Sequence, residues 1–464
     1  MESLERVQSD GSSSPLLAES VETPNPTTIV YRIRKSVTFS DGTPLTSEDV
    51  VWSIQHAFDA KSGAQSASTV TTIKNVAATG ADTVTVSLTR PDPTARMNIS
   101  LFAYIQEAKF ARAQGDKLGS SGAVPIGTGP YKVDSFTADR ISVSRNPAYW
   151  GQKPLMDKID FVVIPDDNAA QLAMRSSTVQ GAALSNPATA AQWKAISGTT
   201  VDGVPSVRSF FLSLDLATKP FDDIHVRKAI AYSIDRQGLL KSAFGEYGQV
   251  LSSLMPLSAI SGVAPSGTEA EQFLQKLPQY DLDLSRARAE LAQSAVPNGF
   301  RFSMSYPSTF AWAKLTLLNL QENLSKLGIT LDLKSVTASE WANGIYAHKD
   351  LGAQVMTISS VPADPSGGLA YLVGKANAAA GATNTANYVD EKVEQAIQPM
   401  TNSTEKPARW DATRTILGKI AEDVPYLPLF EPQSTYALAS GIRTTKAITV
   451  QDMLNGGWVY QLTR

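Results

Sequence analysis

The chain of 464 residues contains no cysteine, which excludes disulfides, thiolate metal sites and a lipid-bearing cysteine within this sequence. No run of about 18 apolar residues occurs, so the sequence predicts no transmembrane helix. Neither sign of charge is in large excess, because 41 basic and 44 acidic residues leave a net charge of −3. This balance does not indicate attraction to nucleic acid or to an anionic membrane.

Signals of catalysis are equally sparse. The only histidines, His56, His225 and His348, lie far apart, and no pair has the spacing of metal ligands. The sequence contains no GxSxG, P-loop or GxGxxG pattern. Pro130 directly follows the stretch Gly-Thr-Gly at 127–129 and lacks an N–H group, which favours a turn over a phosphate site. We therefore expect a binding protein and not an enzyme, with no cofactor and no metal.

The chain contains a strand–turn–helix segment with clear turn and helix-start signals at residues 37–58, VTFSDGTPLTSEDVVWSIQHAF. Two apolar strand positions lead into an Asp41-Gly42 turn. Thr46 is a candidate N-cap, and Asp49 stands three residues later, as in a capping box with Asp in place of Glu or Gln. The segment therefore predicts a capped amphipathic helix after a short strand.

Strand and helix signals alternate along the rest of the chain, which predicts a mixed α/β fold. The patterns favour a strand at Thr28–Ile33, a helix at 101–111 and one long helix at 224–244. A short helix is expected at 339–346, with Ser339 as its N-cap. Residues 361–387 are rich in Gly, Ala, Asn and Pro, and a loop of this length is typically functional or mobile.

Six segments, spread in order from Pro15 to Leu438, resemble the peptide- and nickel-type solute-binding proteins of ABC importers, family 5. They are PLLAESVE, VTFSDGTPLTSEDVVWSI, PIGTGPYKV with RNPAYWGQKP and IDFVVIPDDNAAQLAM, LSLDLATKPFDDIHVRKAIAYSIDRQGLL, NYVDEKVEQAI and DVPYLPLFEPQSTYAL. The resemblance implies a two-lobed periplasmic-binding-protein-like α/β fold of the large type II cluster, with a small accessory domain.

By the same resemblance, the accessory domain covers residues 2–127. The first lobe is split between residues 128–222 and 432–464, and the second lobe spans residues 223–431. Family members place a signal region and one first-lobe strand before the segment found here at Glu2–Leu4. We therefore expect that amino-terminal strand to be missing from the first lobe, which would leave unpaired backbone at its sheet edge.

The implied function is extracellular or periplasmic capture of a small polar ligand, by default a peptide, and its delivery to ABC permease transmembrane subunits. A ligand-sensing role, or binding of a sugar, an opine or a metal chelate, is the alternative. The expected protein is a monomer of the cell envelope that binds no nucleic acid, and its full-length form could carry a lipid anchor.

The resemblance places a pocket-lining loop at residues 359–371, SSVPADPSGGLAY. Peptide-binding members have an ammonium-binding Asp where this chain has Val361, so a peptide amino terminus loses that partner. The predicted ligand contacts are Ser359, Ser360, Asp364, Phe211, Tyr104 and Trp341. For Asp364 the alternative is turn chemistry. For Tyr104 and Trp341 it is core packing, since large aromatic residues are mostly buried.

Overall fold

The computed structural model describes residues 1–8, 12–62, 64–349, 351–361 and 363–464. Its strands are β1 Glu5–Val7, β2 Ser13–Pro15, β3 Ala18–Asn25, β4 Thr28–Ile33, β5 Ile73–Gly80, β6 Thr83–Leu88, β7 Tyr131–Phe136, β8 Arg140–Arg145, β9 Lys158–Val162, β10 Gly181–Ala183, β11 Thr200–Pro205, β12 Arg208–Leu214, β13 Gly248–Val250, β14 Arg301–Pro307, β15 Thr330–Val336, β16 Ala353–Ser359, β17 Tyr426–Leu438, β18 Arg443–Thr444 and β19 Leu462–Thr463.

The α-helices of the same residues are α1 Ser47–Phe58, α2 Ala95–Phe102, α3 Ala108–Gln114, α4 Asp167–Arg175, α5 Ala190–Lys194, α6 Ile224–Ala231, α7 Arg236–Phe244, α8 Leu257–Ser261, α9 Gly267–Lys276, α10 Leu284–Ala292, α11 Ala311–Ser325, α12 Ala338–Ala347, α13 Pro365–Val373, α14 Glu391–Asn402, α15 Lys406–Asp423 and α16 Val450–Leu454. Short 3₁₀ turns lie at Gln65–Ser68, Gly115–Lys117, Pro187–Thr189, Lys375–Asn377 and Gly457–Tyr460.

Chain contacts divide the fold into two compact units. The first unit contains residues 1–185, 191–204 and 435–464, and the second contains residues 186–190 and 205–434. The predicted accessory domain lies wholly in the first unit, and its separation from the first lobe stays a prediction. Residues 205–222 lie in the second unit, where β12 pairs with β16 and β17.

The first unit contains an antiparallel sheet of order β3-β4-β6-β5, and α1 packs on β5 and β6. Alternation explains this sheet: Val84, Val86 and Leu88 are buried, while the threonines and the serine between them are half-exposed. Helix α1 begins as the sequence predicts. The Thr46 hydroxyl accepts from the Asp49 N–H, and the Asp49 carboxylate accepts from the Thr46 N–H, which completes the capping box.

In the second unit, β12 runs antiparallel to β16 on one side and to β17 on the other, and β13 pairs with β17. Successive β12 residues pack into two different cores. Phe210 and Leu212 belong to one hydrophobic cluster, and Phe211 belongs to the other. The strand is therefore buried on both faces, as an almost continuous apolar run predicts.

Three sequence-based predictions of local structure are wrong in part. Residues 103–107 interrupt the predicted helix at 101–111, because Ile105 pairs with Glu2 and its N–H donates to the Glu2 carbonyl at 2.8 Å. The predicted helix at 224–244 is two helices, since Asp235 caps α7 by accepting from the Gly238 N–H at 2.9 Å. The predicted loop at 361–387 contains helix α13.

Candidate ligand-binding site in the second unit

The predicted pocket loop is shaped by the start of helix α13. Asp364 is the N-cap and Pro365 occupies the first helical position, where a missing N–H costs nothing. The Asp364 carboxylate accepts from the Ser366 N–H at 2.9 Å and from the Ser366 hydroxyl at 2.6 Å. Pro362, also in this loop, lies outside the described residues. The Asp-Pro pair therefore fixes where the helix begins.

The Asp364 side chain also forms a buried ion pair with Arg409. The Arg409 guanidinium donates to the carboxylate at 2.6 Å, and the two side chains are only 6% and 7% exposed. Arg409 additionally donates to the Met400 carbonyl at 2.9 Å. This geometry gives Asp364 a structural role, and the expectation that it contacts ligand finds no support in the positions of its partners.

The two serines before the loop have different surroundings. Ser359 ends strand β16 and is exposed. Ser360 is only 1% exposed; its N–H donates to the Val207 carbonyl at 2.9 Å, and its hydroxyl lies 4.0 Å from the Met255 sulfur. Of the pair, Ser359 alone presents its side chain to solvent, and ligand contact by either residue stays a prediction.

Helices α12 and α13 and the end of β16 enclose a cavity of about 380 Å³, which we call the Trp341 cavity. A volume of about 300–1,000 Å³ is typical of small-ligand pockets. Its lining is mostly apolar and aromatic and contains no charged side chain: Phe310, Trp341, Ala342, Ile345, Tyr346, Met356, Thr357, Ile358, Gly367, Tyr371, Leu372 and Thr383.

Trp341 is held at this cavity by local structure and by one aromatic neighbour. Helix α12 begins with a capping box in which Thr337, rather than the predicted Ser339, is the N-cap and Glu340 the third helical residue. The Trp341 ring packs edge-on against Phe310, with centroids 5.8 Å apart. Its indole N–H is buried and, among the described residues, finds no acceptor, so Trp341 combines an apolar face with a free donor.

Two of the predicted contact residues have partners within the protein: Phe211 packs in a hydrophobic core, and Tyr104 forms a hydrogen bond to a distant part of the chain. Phe211 is 0% exposed and packs against the Tyr426 ring at 5.5 Å, inside the core of the second unit. Tyr104 belongs to the first unit, where its hydroxyl donates to the Leu454 carbonyl at 2.6 Å. Burial raises the pKa of the Tyr104 hydroxyl. Of the six predicted residues, Trp341 lines the Trp341 cavity, and Ser359 and Ser360 directly follow its lining residue Ile358 in the chain without lining it themselves.

Sequence reasoning missed a buried carboxylate in the second unit, that of Glu431. The side chain is 4% exposed, and its Oε2 accepts from the Gln249 amide at 2.6 Å. Its Oε1 has no hydrogen-bond partner among the described residues. Burial raises the pKa of Glu431. The available signal was an acidic residue directly after an apolar run, in the stretch LPLFEP.

Two further searches of the described residues were negative. They contain no group of three or more His, Cys, Asp or Glu side chains arranged to hold a metal ion. No helix within the described part of the chain combines the length and the apolar character that a membrane-spanning segment needs.

Comparison with known proteins places the chain in a class. The sequence profile of bacterial extracellular solute-binding proteins, family 5 (middle region), matches residues 13–380. The chain belongs to this family. The glutathione-binding protein GsiB of Escherichia coli strain K12 is 25% identical over 415 residues, which cover 87% of this chain and 77% of that protein.

Two proteins of solved structure share the fold. The periplasmic binding protein DppA of Helicobacter pylori, in complex with the peptide STSA, gives a TM-score of 0.77 at 21% identity and covers 100% of this chain and 91% of its own. The ABC transporter substrate-binding protein CtaP of Listeria monocytogenes gives 0.84 at 22% identity, with 99% and 92% covered. All three relatives are binding proteins.

These comparisons confirm the predicted family, the two-lobed α/β fold class and the function of an extracellular solute-binding protein of ABC import. A periplasmic or extracellular location follows from the family. The domain boundaries and the six site residues stay predictions.

Proposed function

We propose that this protein captures short peptides for an ABC importer and binds a peptide side chain in the Trp341 cavity. The observation that carries the proposal is the cavity itself, a space of about 380 Å³ lined by aromatic and aliphatic groups without a charged side chain. Such a lining suits an apolar or aromatic side chain, because a charge placed there would lose its water without gaining a partner.

The relatives support a peptide as the ligand class. GsiB of Escherichia coli is a glutathione-binding protein, and the solved structure of DppA of Helicobacter pylori is a complex with the peptide STSA. In this proposal the protein acts as a monomer, delivers its ligand to membrane permease subunits and catalyses no reaction. It binds no nucleic acid.

Ligand identification tests the proposal most simply. Protein purified without denaturation is analysed by mass spectrometry for bound small molecules, and apo protein is then screened by thermal shift against a tripeptide library. We expect peptides with an apolar or aromatic residue to raise the melting temperature, because a ligand that binds only the folded state stabilises it. Stabilisation by sugars, opines or metal chelates but not by peptides would contradict the peptide proposal.

A matched pair of tryptophan variants tests the place of binding. Trp341→Ala removes one wall of the cavity and is expected to weaken peptide affinity about 10-fold or more, as loss of a buried aromatic contact does. Trp52→Ala, which removes a partly buried tryptophan from helix α1 of the first unit, is the control and should leave affinity unchanged. Equal affinities of the two variants would move the binding site away from the Trp341 cavity.

A further inference from the structure

Glu431 occupies a defined place in the sheet of the second unit. The pairing of β12 with β17 ends at Phe210 and Phe430, and extending that antiparallel register by one residue sets Glu431 opposite Ser209. On the other side of β17, Glu431 pairs in register with Gln249 of β13. Because directly opposed residues of paired strands point to the same face, Ser209, Glu431 and Gln249 form a polar row across three strands. Gln249 is exposed, so this row begins at the surface.

The polar row has more acceptors than donors. An ionised carboxylate offers about four lone-pair positions to donors. Glu431 receives the Gln249 amide and the Val207 backbone N–H, and its Oε1 receives nothing from the described residues. The Ser209 hydroxyl, 0% exposed, also has no partner there. Buried polar atoms are nearly always paired, so two such atoms at adjacent positions need an explanation.

The same row adjoins the Trp341 cavity. Ser209 pairs in register with Ile358 of β16, and Ile358 lines the cavity. The backbone between β11 and β12 is strained two residues before Ser209, since the β-branched Val207 adopts φ 50°, a left-handed conformation that such residues rarely take. The Ser360 N–H donates a hydrogen bond to the Val207 carbonyl at 2.9 Å. Strain of this kind concentrates at ligand sites, where the surrounding structure maintains it.

We infer that Glu431 is the carboxylate that binds the amino group of the ligand, with Oε1 and the Ser209 hydroxyl accepting its N–H donors while the adjacent side chain occupies the Trp341 cavity. The inference rests on the proposed function and deepens it by defining the ligand class as peptides with a free amino terminus. A primary ammonium supplies three N–H donors and a positive charge, and these are the two things that the polar row lacks.

Electrostatics agree with this assignment. The hydrogen-bond partners that the described residues give Glu431, the Gln249 amide and the Val207 N–H, are neutral, and burial raises its pKa. A ligand ammonium beside the carboxylate would favour its ionised form and reverse that shift. Charge-assisted hydrogen bonds of this type are about twice as strong as neutral ones. An amino group is therefore the ligand feature that gains most from this position.

The test compares peptides with free and blocked amino termini. Dissociation constants are measured by calorimetry for the best-binding tripeptides and for their N-acetylated forms, with wild-type protein, Glu431→Gln and Ser209→Ala. The control is Glu322→Gln, which neutralises a glutamate that is 71% exposed in the same unit. Wild type and control should prefer the free amine by about 10- to 100-fold, the range for a hydrogen bond to a charged group.

Glu431→Gln should abolish this preference, and Ser209→Ala should reduce it by a smaller factor. Retention of the full preference by Glu431→Gln would overturn the inference. Equal binding of free and acetylated peptides by wild type would also overturn it, while the proposed peptide function would stand. If neither the free nor the N-acetylated tripeptides bind to wild type, both the inference and the proposed peptide function are contradicted. Ser209→Ala provides the second variant should Glu431→Gln fail to fold, and an unchanged preference in it would then count against the inference.

Discussion

Asp364 and Glu431 are both carboxylates of the second unit, and each residue is 4% exposed. Asp364 accepts three donors and lies against the Arg409 guanidinium at 2.6 Å. Glu431 accepts from an amide and a backbone N–H, has an unpartnered Oε1, and has its pKa raised by burial. The two carboxylates are therefore equally buried, but Asp364 has a cationic partner and Glu431 has neutral ones. The partners of a buried acid, and not its degree of burial, decide whether it can bind a further cation.

The comparison reverses the order of importance that the sequence suggests. Asp364 sits in the Asp-Pro pair that the resemblance connects with the ligand loop, yet its charge is neutralised within the unit. Glu431 lies in the last of the six family-like segments but is not among the predicted site residues, yet its Oε1 has no hydrogen-bond partner among the described residues. The motif draws attention to Asp364 but does not show which buried acid of the second unit lacks a partner.

The largest expected effect is the loss of folding stability when Asp364 is replaced. Asp364→Ala should lower the free energy of unfolding by about 3–5 kcal/mol, because Arg409 is left buried without its counter-ion. Urea denaturation measures the change. Asp411→Ala, which removes an exposed carboxylate paired with Arg414, is the control and should cost less than about 1 kcal/mol. If the two losses were similar, the structural role of Asp364 would be refuted.

A second effect is the pH dependence that Glu431 contributes. Its folded-state pKa is raised above the ordinary 4.5, so as pH rises from 4.5 toward that value the unfolded chain loses the proton first. Wild-type stability from this group is therefore present below 4.5 and is lost as pH rises through the raised pKa. Glu431→Gln lacks this loss. Urea midpoints measured across this window should shift in favour of the variant as pH rises, and a constant difference would contradict the raised pKa.

A smaller effect extends the comparison to the first unit. Tyr104→Phe removes the hydrogen bond to the Leu454 carbonyl and should cost about 1 kcal/mol of stability. Peptide affinity should not change, because this hydroxyl is already engaged. A loss of affinity at unchanged stability would restore Tyr104 to the ligand site, where the sequence-based prediction placed it.

The smallest effect concerns Ser360. Ser360→Ala keeps the N–H that donates to Val207 and removes only a hydroxyl 4.0 Å from the Met255 sulfur. Stability should therefore change by less than about 0.5 kcal/mol, and affinity should stay within the error of calorimetry. Ser359→Ala at the exposed end of β16 is the companion variant. A drop in affinity for Ser360→Ala alone would show that its hydroxyl turns toward ligand.

Features set by neighbouring residues could be predicted from the sequence. The Thr46–Asp49 capping box and strand β4 occur where their patterns place them, because a cap and an alternating strand are encoded within a few residues. The helix predicted at 101–111 failed where a long-range bridge between Ile105 and Glu2 took over the backbone. At residues 103–107 the tertiary pairing with Glu2 overrides the local helix propensity, and the spacing of residues in the sequence does not reveal such a partner.

The candidate site was predictable only in part for the same reason. The sequence drew attention to Trp341, which lines the cavity, while the burial of Phe211 against Tyr426 depends on which face of β12 it occupies. The Asp364–Arg409 pair joins residues 45 positions apart in the chain. Glu431 could not be found without the register of β12, β13 and β17, which places it between Ser209 and Gln249.

A crystal structure of the protein with its best-binding tripeptide would test the account most directly. We predict the peptide amino group within about 2.7–3.2 Å of Glu431 Oε1, as in an N–H···O hydrogen bond, with an adjacent side chain against Trp341 and the Asp364–Arg409 pair intact. An amino group bound at Asp364 with Arg409 displaced, or a peptide that leaves both Glu431 and the Trp341 cavity untouched, would contradict it.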